Sequence, residues 1–444
     1  MKRYWPIAVV VAFVAFLLCL QPADRIVLPA TATEVRYPLP VNTARYLTDE
    51  CDTLAYAIRA ENAARGRKAG LTNAKGEPYE PFGEAGYAGN QLLERYFLEY
   101  PPLALALFRL GQIGSPRTGA VVPATYLDDH QCFVATIVPR GDEEATLVRS
   151  FRHAIRVYTV LLGAALIAIM IFVGRCYPAV PLWLFLLPSC FYFSLCRFDL
   201  LTAGLLLVSI TMADRKKPWA SGLALGLAVA LKMYPLAVAP IVLRYAARSR
   251  SQAFVWCVMA ALPVLASYGW FYGTDGLDGI LVPLKFQLNR ELEPNWCFIG
   301  RFVPKDFAEH GWMRAVPVLL LSLAFTIRRA VDVEAVLERC TLVVMLFVSL
   351  QTFFSPQWGQ WIAVLLVPLV RRHPWLIGWL AIHDVWTYFY FPFLFDLGTT
   401  NIETWDDLRW VSDLHTWMRA LLYLGLVGGL LLSKRKPEAD SGMV

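Results

Sequence analysis

Trp219-Ala-Ser-Gly-Leu-Ala-Leu-Gly226-Leu-Ala-Val-Ala-Leu-Lys232-Met-Tyr-Pro235-Leu-Ala-Val-Ala-Pro-Ile-Val-Leu243 is an apolar run that holds a single charge, Lys232. Basic residues flank it, with Arg215, Lys216 and Lys217 before and Arg244 after. Two half-length stretches joined at a lysine and a proline read as a broken helix at membrane depth. Proline ends the first stretch, and irregular backbone in a bilayer survives only where it lines a cavity or is buried in protein. The whole chain agrees with this setting: of 444 residues, 57% are hydrophobic and 17% charged, with 15 tryptophans. Soluble domains are about 45–50% apolar and about a quarter charged, so a soluble globular enzyme is excluded. So is a disordered chain, since so apolar a sequence with a formal charge of only +6 offsets chain entropy by burial.

Working outward, apolar segments recur at roughly 5–20, 155–174, 178–196, 199–213, 219–231, 233–243, 253–272, 313–327, 339–354, 358–370, 374–393 and 416–433. The expected fold is an all-α polytopic membrane protein of about twelve transmembrane or half-membrane helices, several too short to span alone. Lys and Arg excess marks cytoplasmic loops. It falls on alternate loops at Lys2/Arg3, Arg175, Arg215/Lys216/Lys217, Arg244/Arg248/Arg250, Arg328/Arg329, Arg371/Arg372 and Lys434/Arg435/Lys436. Both termini are therefore expected in the cytoplasm. The expected organisation is a first transmembrane helix at 1–22, an extracytoplasmic loop at 23–152, a helical membrane domain at 153–433 and a cytoplasmic tail at 434–444.

The long first loop is the expected seat of chemistry, because loops beyond about fifteen residues are usually functional or carry their own structure. Thr48-Asp49-Glu50 reads as a helix start leading into an amphipathic run from Thr53 to Arg65, with acids in the first turn. The Gly-rich segment 66–91, with Pro78 and Pro81, reads as coil. Glu99-Tyr100-Pro101-Pro102 precedes Leu103–Leu110, an apolar run too short to span and expected to dip into one leaflet as a helix. Nine cysteines show no CxxC pair or metal spacing. Cys51 and Cys132 share the outside loop, where a disulfide is permitted.

Charges near lipid are the informative residues, since each costs about 2.5–3.5 kcal/mol at a helix centre on insertion scales. Asp49 and Asp52 either cap a helix or serve as general bases toward an acceptor hydroxyl. Arg197-Phe198-Asp199 separates two apolar segments, and mutual pairing of its charges is the simplest account. Lys232 suits a lipid-linked phosphate, with snorkelling to the headgroups as the competing account. The loop carrying Asn289, Arg290, Trp296 and Arg301 mixes amides, cations and an indole able to grip sugar hydroxyls and phosphate, or it is an ordinary polar connection. Gln357 and Trp358, with Gln360 and Trp361 behind them, pair amide and indole in a way that fits a sugar or an interfacial anchor.

Taken in order, Thr48-Asp49, Glu99-Tyr-Pro-Pro, Phe198-Asp199-Leu-Leu, Gly226 through Lys232-Met-Tyr-Pro235 and Ser355-Pro-Gln-Trp358 followed by Trp361 resemble the polyprenyl-phosphate-dependent glycosyltransferases of family 87, multi-spanning enzymes of the GT-C fold that include mannosyl- and arabinosyltransferases. The resemblance implies an inverting transfer of a mannose-like hexose or arabinose from a polyprenyl-phosphate donor to a cell-envelope lipid or glycan hydroxyl, on the extracytoplasmic face of a bacterial-type inner membrane. It implies a catalytic base in the first loop, which Asp49 fits through a Thr-Asp pattern and Asp52 through its spacing to Tyr56. Donor-phosphate cations would be Lys232, Arg301 and Arg290, with Arg197 beside them. Substrate contacts would come from Glu99, Tyr100, Asp199, Asn289, Trp296, Gln357 and Trp358. The lipid-linked sugar is a co-substrate, no cofactor or metal is implied, and the partners are membrane lipids rather than nucleic acid. The insert between Gly66 and Gln91 and the segment 115–150 depart from a compact family pattern. The alternatives of another class are a transporter or flippase with the same charges lining a path, and a non-catalytic envelope scaffold.

Overall fold

The computed structural model describes residues 3–19, 34–36, 101–110, 113, 121–127, 133–138, 143–288, 304, 310–351, 354–390 and 409–433. They are mostly helical. In chain order the helices are α1 (Trp5–Cys19), α2 (Pro102–Leu110), α3 (Glu143–Cys176), α4 (Pro188–Cys196), α5 (Asp199–Asp214), α6 (Pro218–Leu231), α7 (Ala239–Ala246), α8 (Arg250–Leu288), α9 (Gly311–Ile327), α10 (Val333–Ser349), α11 (Gly359–Leu366), α12 (Leu376–Tyr388) and α13 (Arg409–Leu432). Each apolar segment read from the sequence overlaps helical structure among the described residues. Among the described residues three helical stretches, Arg156–Cys176, Arg250–Trp270 and Asp413–Leu432, are long and apolar enough to cross a membrane, and a fourth is counted if the bent pair α4 and α5 forms one span.

Two features depart from the sequence expectation. The described residues include a small antiparallel sheet, order β1-β3-β2, built from β1 (Glu34–Arg36), β2 (Val121–Leu127) and β3 (Phe133–Val138). It pairs Glu34 with Thr136 and Arg36 with Val134, joining the beginning of the long first loop to its end. Helix α8 runs on to Leu288, past the last apolar residue of its segment near 272, and α3 starts at Glu143, ahead of the boundary expected at 153. Polar residues mark where apolar surroundings end, not where backbone hydrogen bonding stops.

Local chemistry explains the helix ends. Pro188 and Pro218 sit in the first turns of α4 and α6, where a missing N–H costs nothing. Asp332 caps α10 by accepting a hydrogen bond from the Ala335 amide at 2.7 Å. Between α5 and α6 the chain reverses at Lys216, whose φ of 57° places it in the left-handed region that closes many helix C-termini. Helix α6 packs against α5 and α8 and also carries α2 on its surface. Gly222 and Gly226 make the α6–α8 approach possible: a Cβ there would lie 2.3 Å from the Trp256 carbonyl oxygen and 2.2 Å from that of Ala260. The Gly-x-x-x-Gly spacing lets the two backbones meet, as small residues do between membrane helices.

Apolar side chains continue outside the core. Phe254, Leu262 and Leu265 on α8, Leu319, Leu320 and Leu323 on α9, and Leu421 and Leu424 on α13 are all exposed. Apolar exposure on this scale suits lipid and not water.

Candidate functional site

Three interruptions of helical structure converge. The first is the elbow at Arg197–Phe198, where α4 gives way to α5 at 103° and Arg197 is extended at φ −128°, ψ 145°. The second is the end of α6, where Lys232 is extended at φ −150°, ψ 139° and a 3-10 turn, Tyr234–Val238, follows. The third is the 3-10 turn Pro356–Trp358 that leads into α11. Each break delivers one side chain to the same point.

Lys232 Nζ donates to Asp199 Oδ1 at 2.6 Å, and the Trp361 indole N–H donates to the same oxygen at 2.8 Å. Asp199 is fully buried and Lys232 is 7% exposed, so both charges have left water. The helices help to hold them there. Asp199 opens α5 and Lys232 closes α6, which sets a carboxylate at a helix N-terminus and a cation at a helix C-terminus, the ends where the macrodipole favours each. Aromatic faces surround the ammonium, with the Phe198 ring centre at 5.0 Å and that of Trp361 at 5.3 Å, within cation–π range. Tyr234 stacks on Trp361 with ring centres 3.9 Å apart and planes within 8°. Trp358 stacks on the same indole at 5.2 Å.

A second layer fixes the elbow. The Asp384 carboxylate of α12 accepts the first free amides of α4, from Ser189 at 2.7 Å and Cys190 at 2.8 Å. Gln360, beside Trp361, donates to the Cys190 carbonyl and the Ser194 hydroxyl, both at 2.9 Å. Residues 360 and 361 thus grip α4 and α5 from one short segment. Farther along, the Arg419 guanidinium lies 4.1 Å over the Phe354 ring, and His415 stacks on Tyr390 at 3.6 Å while accepting from the Trp386 indole at 3.1 Å.

Of the residues singled out by sequence, Lys232 and Asp199 meet directly, Trp358 joins the aromatic stack, and Gln357 is buried in the turn that carries it. Arg197 stands at the elbow itself. Two sequence accounts are corrected. Asp199 takes Lys232, thirty-three positions away, as its ion-pair partner instead of Arg197, and Lys232 does not snorkel, because an opposite charge in the protein interior holds it. Asp49, Asp52, Glu99, Tyr100, Asn289, Arg290, Trp296 and Arg301 lie outside the described residues, as do Cys51 and Cys132. Helix α2, which follows Glu99 and Tyr100 and is as short as expected, packs on α6 and α8. The contact of Trp361 with Asp199 and the roles of Gln360, Asp384 and Arg419 were not foreseen. A pattern of single residues shows which side chains are costly and not whom they meet.

Compared with known proteins, the model of glycosyltransferase family 87 matches residues 133–356, half of the chain. The chain belongs to glycosyltransferase family 87. This membership bears out the resemblance drawn from the motifs. No curated protein and no solved structure matches significantly. Within this family 87 glycosyltransferase the match contains Arg197, Asp199 and Lys232, and it stops in the turn that begins at Pro356, just before Trp358 and Trp361. The family signal and the geometric site therefore overlap on the α4–α5 elbow and the end of α6.

Proposed function

We propose that this glycosyltransferase moves a mannose-like hexose or arabinose from a polyprenyl-phosphate donor to a hydroxyl of an envelope lipid or glycan, at the extracytoplasmic face of a bacterial-type inner membrane, with both termini cytoplasmic. The observation that supports this most is the buried cluster of Lys232, Asp199 and Trp361 at three helix breaks in a chain of this family. Charges are maintained among apolar helices at a cost, and intramembrane ionisable groups mark function by default. A polyprenol tail would lie along the exposed leucines of the helices while its phosphate head reaches the broken helix ends.

In the transfer, a loop carboxylate, Asp49 or Asp52, takes the proton of the acceptor hydroxyl as its oxygen attacks the anomeric carbon. The bond from that carbon to the phosphate oxygen breaks in the same displacement, inverting the centre, and the lipid phosphate departs with the electron pair. A phosphate monoester has a second pKa of about 6, so the leaving group gains charge at neutral pH. Preorganised cations stabilise that charge more in the transition state than in the donor. An ammonium carries three donors, so Lys232 can serve Asp199 and a phosphate oxygen together, with Arg301, Arg290 and Arg197 as further cations. Glu99, Tyr100, Asn289, Trp296, Gln357 and Trp358 are proposed to hold the sugar and the acceptor.

The test supplies purified protein with radiolabelled polyprenyl-phosphate mannose or arabinose and a lipid extract. Label should appear in a new glycolipid, and Asp49→Ala or Asp52→Ala should abolish its appearance while donor binding persists. Failure of folded wild-type protein to transfer from every lipid-linked sugar supplied would overturn the proposal in favour of transport.

A further inference from the structure

Around Asp199, three buried polar atoms make no hydrogen bond among the described residues: the second carboxylate oxygen Oδ2, the Thr202 hydroxyl and the Tyr234 hydroxyl. A chain of contacts links the residues that carry them. Thr202 lies three positions after Asp199 on α5, hence on the same helix face, and Tyr234 stacks on the indole that donates to Asp199. All three residues are at most 2% exposed. Buried donors and acceptors are nearly always satisfied, and each one left open destabilises the fold, so a carboxylate oxygen and two hydroxyls open together ask for a partner rich in hydroxyls. Oδ1 is already taken up by Lys232 and Trp361, which orients the carboxylate and leaves Oδ2 as a fixed acceptor. The most exposed members of this constellation are Lys232 and Trp358, at 7% and 6%.

We infer that Asp199 Oδ2, Thr202 and Tyr234 form a binding point for hydroxyls of the transferred sugar, with the sugar's phosphate held toward Lys232. This rests on the function proposed above and adds to it the atoms that select the sugar. A phosphate at the ammonium and hydroxyls at the carboxylate would place one glycosyl phosphate across both ends of the Lys232–Asp199 pair. A hydroxyl donates to Oδ2 and accepts from a phenol or threonine O–H, so a polyol satisfies every open atom. Bond making and breaking stay at the anomeric carbon; these residues bind and orient.

The experiment compares full-length wild type with Thr202→Val and Tyr234→Phe, substitutions that remove a hydroxyl at nearly constant shape. Thermal unfolding and transfer kinetics are measured with whichever lipid-linked sugar the wild type uses, and with its mono-deoxy analogues. We expect unfolding temperatures unchanged or raised, since an unsatisfied group is removed, together with a KM for donor raised about tenfold, the scale of one hydrogen bond to substrate. One deoxy analogue should weaken the wild type and leave the matching variant indifferent, as a double-mutant cycle requires. If both variants keep wild-type KM for every analogue while unfolding at the same or higher temperature, the open atoms hold water or nothing and the inference is overturned, with the proposed function intact. A wild type that transfers no lipid-linked sugar overturns both.

Discussion

Two ionic clusters in this molecule invite comparison. At the ends of α5 and α6, Lys232 and Asp199 have side chains 9% and 1% exposed and share one hydrogen bond, with the indole of Trp361 as a third member. At the start of α10, Arg372 meets Glu334 at 2.7 Å and Asp332 at 3.4 Å, with 19%, 33% and 43% of those side chains exposed, and His373 adjoins Glu338 at 3.1 Å. Arg372 loses some hydration by partial burial, yet the three carboxylates Asp332, Glu334 and Glu338 hold its pKa above the ordinary value. The half-buried cluster keeps contact with water and has less at stake. The buried one has open oxygen atoms nearby and a far larger penalty of lost hydration. A charge pair whose desolvation cost rivals its attraction is weak evidence of a stabilising role, which favours the binding role proposed for this one.

The largest effect that would break or support this contrast is on Lys232→Met. It leaves the Asp199 carboxylate buried without its counter-charge, and losing one partner of a buried pair costs about 3–5 kcal/mol. We expect a steep fall in unfolding temperature in detergent and no transfer activity. The double variant Asp199→Asn/Lys232→Met should recover most of the stability and none of the activity. A double variant that regains transfer would show the pair to be structural, like the Arg372 cluster.

Next in size is Gln360→Leu. It removes the amide that donates to Cys190 and Ser194; the Ser194 hydroxyl still donates to the Cys190 carbonyl, so the cost is that of the lost bonds, about 0.5–1.5 kcal/mol each. Because Gln360 holds α4 while its neighbour Trp361 holds Asp199, loosening α4 should lower kcat by more than a comparable loss of stability elsewhere. The comparison variant is Ser433→Ala, which removes the hydroxyl that accepts from Trp375 at the end of α13 and should leave kcat unchanged.

How far the sequence reveals these two regions differs for a physical reason. Apolar runs mark the helices, because burial or lipid contact is the same demand at every position of a run. Lys232 and Asp199 are legible one at a time, as charges where charges are costly. Their meeting is not, since it depends on the 103° turn between α4 and α5, which no local pattern encodes. Thr202 and Tyr234 look like ordinary helix residues until their hydroxyls are seen to lack partners. The Gly222–Gly226 spacing, which brings α6 onto α8, is passed over within a run that reads as uniformly apolar. The strand Val121–Leu127 carries Pro123, and proline demotes a strand reading, which hid the sheet within a chain that otherwise reads as helices.

The smallest expected effect is on Arg372→Gln. This removes two ion pairs, yet the partners stay accessible to water, and Asp332 keeps its capping bond to Ala335, so α10 retains its N-terminal support. Ion pairs that keep contact with water are typically worth about 0–1 kcal/mol, so the unfolding temperature should fall by little and less still in high salt, where screening has already weakened the pairs. Donor KM and kcat should stay at wild-type values. If Arg372→Gln instead destabilised the protein as much as Lys232→Met, exposure would not be what separates the two clusters, and the special status given to the buried pair would lose its physical basis.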